Sequence, residues 1–280
     1  MLTFFHPHEL STHIHTLKKE GKRIGFFPTM GALHVGHLSL LEACKLTCDI
    51  SVCSIFVNPT QFTNPDDLAN YPRSEKTDAA ALEMAGCDIL FIPDKQEIYA
   101  LEKPMSVTFD SLIQGFEGAS RPGHFEGVAR IVRLLFECVQ PDEAFFGLKD
   151  YQQCLVIEEL VKQLDLGIIL HFIPTKREAD GLAMSSRNQR LNVLQRQAAP
   201  AIYQALLWAK SHVGHYPPAE LEKACIAQIE KEPALRVDYF KLADAHTLEP
   251  LVSQEKTSSI IALTAVFAGE IRLIDNLLLK

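Results

Sequence analysis

The chain has 280 residues, 47% of them hydrophobic and 22% charged, with a formal net charge of −8. That length accommodates one large domain plus a smaller one. An acidic balance with no basic block argues against a general nucleic-acid or membrane surface, and the longest apolar run, Ile260–Ala268, is too short to cross a bilayer as a helix. The amino terminus has neither the basic leader nor the long apolar core of a signal peptide. Cysteines at 44, 48, 53, 87, 138, 154 and 225 make an odd count without a CxxC pair. They read as reduced, buried thiols of a cytoplasmic protein rather than as a zinc site or a disulfide framework.

From Arg23 to about Pro174, strand-like runs at 24–27, 50–57, 89–92, 143–146 and 168–173 alternate with helical patterns, notably at 77–86, 127–139 and 151–164. This alternation predicts an α/β fold, a Rossmann-like parallel sheet with helices on both faces. Ligands in such folds gather at the carboxyl ends of the strands. After Pro174 a loop at 176–187 leads to helices at 191–213 and 218–230 and short strands at 237–242, 258–266 and 272–274. The expected division is an N-terminal domain over 1–175 and a smaller α+β C-terminal domain over 176–280.

Pro28-Thr29-Met30-Gly31-Ala32-Leu33-His34-Val35-Gly36-His37 follows the strand at 24–27 and leads into apolar residues at helical spacing from Leu38 to Cys44. A strand, a turn of small residues and a helix start make a phosphate cradle, because unpaired N–H groups and the helix dipole favour negative charge there. The two imidazoles, three residues apart, project from one side of the first turn, and Gly36 leaves close approach unobstructed. The bland alternative is a capped helix with two solvated histidines. No GxxxxGK[ST] string occurs, and no GxGxxG follows a strand. Histidines in place of the P-loop lysine point to attack at an α-phosphate, with pyrophosphate leaving.

Other loops fall at strand ends. Asn58-Pro59-Thr60-Gln61-Phe62 offers an amide with both donor and acceptor, although Asn and Pro suit a plain turn as well. Gly147-Leu148-Lys149-Asp150-Tyr151-Gln152-Gln153 places an ammonium near a helix start, where Asp150 also suits an N-cap. Met184-Ser185-Ser186-Arg187 supplies hydroxyls and a guanidinium for a departing pyrophosphate, or else caps a helix after a linker. The glycine-rich stretch from Gly115 to Gly127 reads either as a lid or as a surface connection.

Taken in order, PTMGALHVGH, FVNPTQF, YPRS, RPGHFEGVA, FFGLKDYQQ and DGLAMSSRN closely resemble the pantoate–β-alanine ligase family, within the wider HxGH nucleotidyltransferases; VDYFKLADAHTLEPL and GEIRLIDN resemble the family's C-terminal domain. The resemblance implies two-step, ATP-dependent condensation of (R)-pantoate with β-alanine through pantoyl adenylate, in a cytoplasmic homodimer using Mg²⁺. It implies His37, His34 and Lys149 as catalytic groups. ATP would be bound by Met30, Gly31, Ala32, Leu33, His34, Val35, Gly36, His37, Gly147, Leu148, Lys149, Asp150 and Lys176. Met184, Ser185, Ser186 and Arg187 would complete that set as the counterpart of the KMSKS loop of class I tRNA synthetases, on a C-terminal domain that covers the active site. Pantoate would be held by Gln61 and Gln153, with Pro28, Phe146, Val128 and Val132 shaping its apolar side. β-Alanine would meet Gln61, Asn58, Tyr71 and Arg121. No metal ligand is implied among the side chains. Two departures from the family pattern stand out. Arg130 replaces the Thr that usually follows GVA, and Thr77 before Asp78 thins the acidic cluster after YPR, so Mg²⁺ is expected on ATP oxygens and water. A nucleotidyltransferase that stops after the first step and a non-enzymatic nucleotide-binding regulator are the rival readings.

Overall fold

Three central strands of the first sheet are almost wholly apolar because both of their faces are covered by helices. In the computed structural model, which describes residues 1–253 and 258–280, the chain divides into two compact units. One comprises Met1–Phe109, Gly118–Leu148 and Gln153–Pro174; the other comprises Asp110–Glu117, Lys149–Gln152 and Thr175–Lys280. The second unit therefore includes two short segments that precede Thr175 in the chain.

The first unit runs β1 (Leu2–Phe4), α1 (Pro7–Lys19), β2 (Ile24–Thr29), α2 (Val35–Thr47), β3 (Ile50–Ile55), α3 (Pro65–Ala69), α4 (Glu75–Met84), β4 (Ile89–Phe91) and α5 (Lys95–Ala100). After α6 (Phe116–Ser120), whose residues divide between the units, come α7 (His124–Val139), β5 (Glu143–Gly147), α8 (Tyr151–Gln163), whose first two residues belong to the second unit, and β6 (Ile169–Ile173). The strands form one parallel sheet in the order β1-β4-β3-β2-β5-β6. From β2 the chain winds outward through β3 to β4, then returns to place β5 on the other side of β2. The winding direction thus reverses between β2 and β5, which opens a crevice at their carboxyl ends.

Alternation along β2 and β5 separates the two covering layers. Phe27 and Phe145 pack with Leu40, Leu41 and Cys44 of α2. Phe26 points the other way, meeting Phe136 of α7 edge-on at 6.1 Å, and Phe136 meets Phe146 at 6.4 Å. The register pairs Phe26 with Ala144, so Pro28 and Phe146, each two residues further on, lie level on the α7 face.

The second unit contains α9 (Val193–Ala198), α10 (Ala201–His212), α11 (Pro218–Ile229), β7 (Leu235–Asp244), β8 (Ile260–Ala268) and β9 (Ile271–Leu278). Its three strands form an antiparallel sheet, β7-β8-β9, whose core joins Phe240, Leu242, Ala262 and Val266 to Ala205, Leu206, Leu221 and Ile229 of the helices. This matches the expected α/β fold with a smaller α+β part.

Local differences have physical causes. The expected single helix at 191–213 is two, because Pro200 lacks an N–H and clashes with the preceding turn. Asn192 and Gln195 close the first of them with a reciprocal capping box. β9 continues to Leu278, well past the expected 274. β1, α1 and α5 were not expected: the first is three residues long, and α1 buries only Pro7, Leu10 and Ile14. The glycine-rich stretch is largely helical, split between α6 and the start of α7. No helix among the described residues is long and apolar enough to cross a membrane. None of the seven cysteines forms a disulfide; burial pushes the Cys87 thiol up to about 11 and those of Cys138 and Cys225 to about 12, so these are not reactive thiolates.

Candidate active site

The turn after β2 stands at the reversal point of the sheet, and it is more rigidly built than its sequence suggests. Thr29 closes the strand, its hydroxyl donating to Ser54 O at 2.8 Å and accepting from Gly31 N at 3.2 Å. Gly31 and Ala32 then adopt φ of +81° and +50°, a left-handed pair that costs glycine little and alanine more. Asp78 of α4 holds this conformation. Its carboxylate, 2% exposed, accepts Ala32 N at 2.8 Å, Leu33 N at 2.9 Å and the Ser74 hydroxyl at 3.1 Å.

His34 is the N-cap of α2. Its Nδ1 accepts Gly36 N at 3.1 Å, while His37 Nδ1 accepts His34 N at 3.3 Å, a capping box built from two imidazoles. The rings stand 4.1 Å apart. With Nδ1 accepting in both, the neutral rings carry their protons on Nε2. This corrects the expectation of a cradle of unpaired N–H groups: those of Gly31, Ala32, Leu33, His34, Gly36 and His37 all have internal acceptors. What the turn offers an anion is its imidazole edges and the positive end of α2.

A second loop meets this turn. After β3, Asn58 caps a short 3-10 turn, Pro59–Gln61. Gln61 Nε2 donates to Met30 Sδ at 3.0 Å, and its Oε1 accepts Asn58 Nδ2 at 2.9 Å. Its backbone carbonyl accepts His124 Nδ1 at 2.7 Å and Arg121 Nη2 at 3.2 Å. Gly127 lets α7 lie against the same turn, since a Cβ there would fall 2.5 Å from Thr60 O. Asn58, expected at β-alanine, is 1% exposed, with both ends of its amide engaged and one of them on Gln61. Tyr71 is buried and packs edge-on against Phe62 at 5.5 Å.

Val128 and Val132, one turn apart on α7, are buried on the helix that covers the Pro28 and Phe146 face. Gln153 is half-buried at the start of α8. At the end of β5, a Cβ on Gly147 would meet nothing within 4 Å. Arg130 does not stand alone: it pairs with Glu102 and lies 5.4 Å over the Tyr99 ring. The first unit therefore brings Met30, His34, His37, Gln61 and Arg121 around neighbouring loops, with the apolar residues on one sheet face. His124, Asp78 and Tyr99 were missed; of these only His124 had a local signal, in the HFEG string.

In the second unit, Lys149 lies in a 3-10 turn, Leu148–Asp150, its carbonyl accepting Asn276 Nδ2 at 2.8 Å. Among the described residues its ammonium has no hydrogen bond or ion pair. Asp150 is exposed. Lys176 begins a hairpin closed by the Arg177–Ala183 bridge, and Lys176 O accepts Met184 N at 3.0 Å. Arg177 anchors that hairpin, bidentate on Asp275 at 2.6 and 2.9 Å. Ser185 caps the following 3-10 turn, Ser186–Arg190, so the tetrad ends in a cap as well as carrying its polar groups. Gln152, also missed, holds the 112–117 segment: it donates to Leu112 O and Gly115 O and accepts Glu117 N.

A family model for pantoate-beta-alanine ligase matches residues 3–278. The pantothenate synthetase of Chromohalobacter salexigens is 44% identical over 281 residues, covering 99% of this chain and 98% of the relative; that of Bacteroides thetaiotaomicron is 41% identical over 272 residues, covering 97% and 96%. The crystal structure of pantothenate synthetase from Thermus thermophilus superposes with a TM-score of 0.92 at 39% identity over the whole of both chains. That of the Francisella tularensis pantoate-beta-alanine ligase, complexed with beta-gamma ATP and beta-alanine, superposes with 0.82 at 32% identity, covering 99% of this chain and 97% of that one. A turn capped by two imidazoles at the switch point of a parallel sheet, matched in sequence and fold along nearly its full length, places this chain in the pantoate–β-alanine ligase family.

Proposed function

We propose that this chain joins (R)-pantoate to β-alanine, forming pantothenate, AMP and pyrophosphate from ATP. The observation that carries the reading is the pair of imidazoles that cap α2 at the carboxyl end of β2, within a chain of this family. A pantoate carboxylate oxygen attacks the α-phosphorus, the bond to the β-phosphate oxygen breaks, and pyrophosphate leaves. The β-alanine amine then attacks the acyl carbon, AMP departs with the carboxylate oxygen, and the amine proton passes to solvent.

His34, His37 and Lys149 act where charge grows on the α-phosphate, two as neutral donors and one as a point charge. Met30 to Val35, Gly36, Gly147, Leu148, Asp150 and Lys176 bind the nucleotide, with Met184, Ser185, Ser186 and Arg187 on the departing pyrophosphate. Gln61 and Gln153 hold pantoate against Pro28, Phe146, Val128 and Val132. Tyr71 and Arg121 serve β-alanine together with Gln61, and Asn58 acts through Gln61. Asp78, the buried carboxylate beside the turn, has both oxygens on backbone N–H groups. Mg²⁺ belongs with ATP, as part of the substrate. Seven cysteines outside any disulfide, six of them buried, support a cytoplasmic location; the homodimer rests on the family resemblance alone.

The test is an omission series with ATP, pantoate and β-alanine, following AMP. Catalytic AMP formation only when all three are present is the expected result. Steady AMP release without β-alanine would instead identify a hydrolase, and pyrophosphate release with a stable adenylated product and no AMP would identify a nucleotidyltransferase.

A further inference from the structure

Tyr99, on α5, lies behind the substrate loops and has no place in the reaction so far described. Its hydroxyl donates to Asn58 Oδ1 at 2.5 Å. The same oxygen accepts Thr60 Oγ1 at 2.8 Å and Thr60 N at 3.3 Å. A backbone N–H can only donate, so this atom of Asn58 is the carbonyl. The opposite end faces Gly127 O at 3.1 Å, which can only accept, so that atom is the NH₂. Its second proton goes to Gln61 at 2.9 Å, which makes the facing Gln61 atom Oε1. The Gln61 NH₂ then points the other way, toward Met30 Sδ, a weak acceptor. The ring of Tyr99 is held edge-on by Phe56 at 6.2 Å and capped by Arg130, one of the two departures from the family pattern.

We propose that Tyr99 is a positioning residue: through Asn58 it locks the Gln61 side chain with its NH₂ group toward the substrate, so that Gln61 reads an oxygen lone pair on pantoate and rejects a donor there. The proposal rests on the assignment of Gln61 to pantoate. Tyr99 touches neither nucleotide nor substrate in this scheme, so its effect belongs in pantoate binding and not in ATP binding.

The test measures KM for pantoate and for ATP, with kcat and the thermal midpoint, in Q61A, Y99F, N58D and the Q61A/Y99F pair. Q61A must raise the pantoate KM; an unchanged value removes the assignment of Gln61, and the proposal with it. Given that rise, Y99F is expected to raise the pantoate KM about 2- to 10-fold, the weight of one neutral hydrogen bond. The ATP KM should stay as in the wild type, while the midpoint falls slightly, since the deleted hydrogen bond is already made in the free fold. N58D, which puts a carboxylate oxygen against Gln61 Oε1, should raise the pantoate KM further. In the Q61A background Y99F should add nothing. A wild-type pantoate KM in Y99F, a matching rise for ATP, or an undiminished effect in the Q61A background overturns the relay and leaves the Gln61 assignment standing.

Discussion

Asp78 and the two histidines divide the work of the β2 turn. The carboxylate fixes a left-handed Gly31–Ala32 pair, and the imidazoles close the helix that follows. Replacing Asp78 by Asn would turn one acceptor into a donor facing a backbone N–H. The cost is about 1–3 kcal/mol for the group left unsatisfied, checked by denaturant unfolding, and kcat should fall because both imidazoles shift with the turn. His37→Ala, by contrast, should lower kcat by about 10²–10³, in the range found for lost oxyanion donors, with ATP still bound in an equilibrium titration. The histidines were legible because their spacing is local. Asp78 was not, since it lies 41 residues beyond His37 and meets the turn only through tertiary packing of α4.

Elements show the same contrast between local pattern and distant pairing. The 3.6-residue period of α7 was readable, as was its N-terminal glycine-rich lead. What the sequence could not show is that Gly127 is a contact point, the place where α7 lies directly on the Asn58–Gln61 turn. Gly127→Ala puts a Cβ 2.5 Å from Thr60 O. It should destabilise the protein by about 1–3 kcal/mol, as overpacking does, and raise the pantoate KM, with thermal melts and steady-state kinetics as the two readouts. In the second unit, Arg272 grips Glu117 through two nitrogens at 2.7 and 2.8 Å and also binds Asp238. Arg272 and Glu117 lie 155 residues apart in sequence, which is why the glycine-rich stretch read equally well as a lid or a connection.

For the whole molecule, the alternation of strands and helices foretold the α/β class, because each period is set within a few residues. Strand order and the edge strand β1 depend on pairings across the chain and were not readable. β5 begins at Glu143, buried beside Arg23, which precedes β2, at 2.6 Å, His171 in the middle of β6 at 2.6 Å and the Thr47 hydroxyl at 2.7 Å. Burial alone would push this carboxyl up, but the Thr47 hydrogen bond and the Arg23 and His171 side chains beside it bring it below its ordinary value. A lowered folded-state value means its stabilisation is present above the unfolded value, about 4.3, and is lost as pH falls through the folded one. Unfolding free energies measured across acid pH should therefore show a steeper decline below about pH 4.3 in the wild type than in Glu143→Gln.

The central chemical claim is that a pantoate oxygen bonds to the α-phosphorus of ATP. Pantoate labelled with ¹⁸O in its carboxylate, turned over with ATP and β-alanine and analysed by mass spectrometry, tests that bond directly. One ¹⁸O atom in each AMP formed is the expected result; unlabelled AMP with the label in pyrophosphate or phosphate would contradict it.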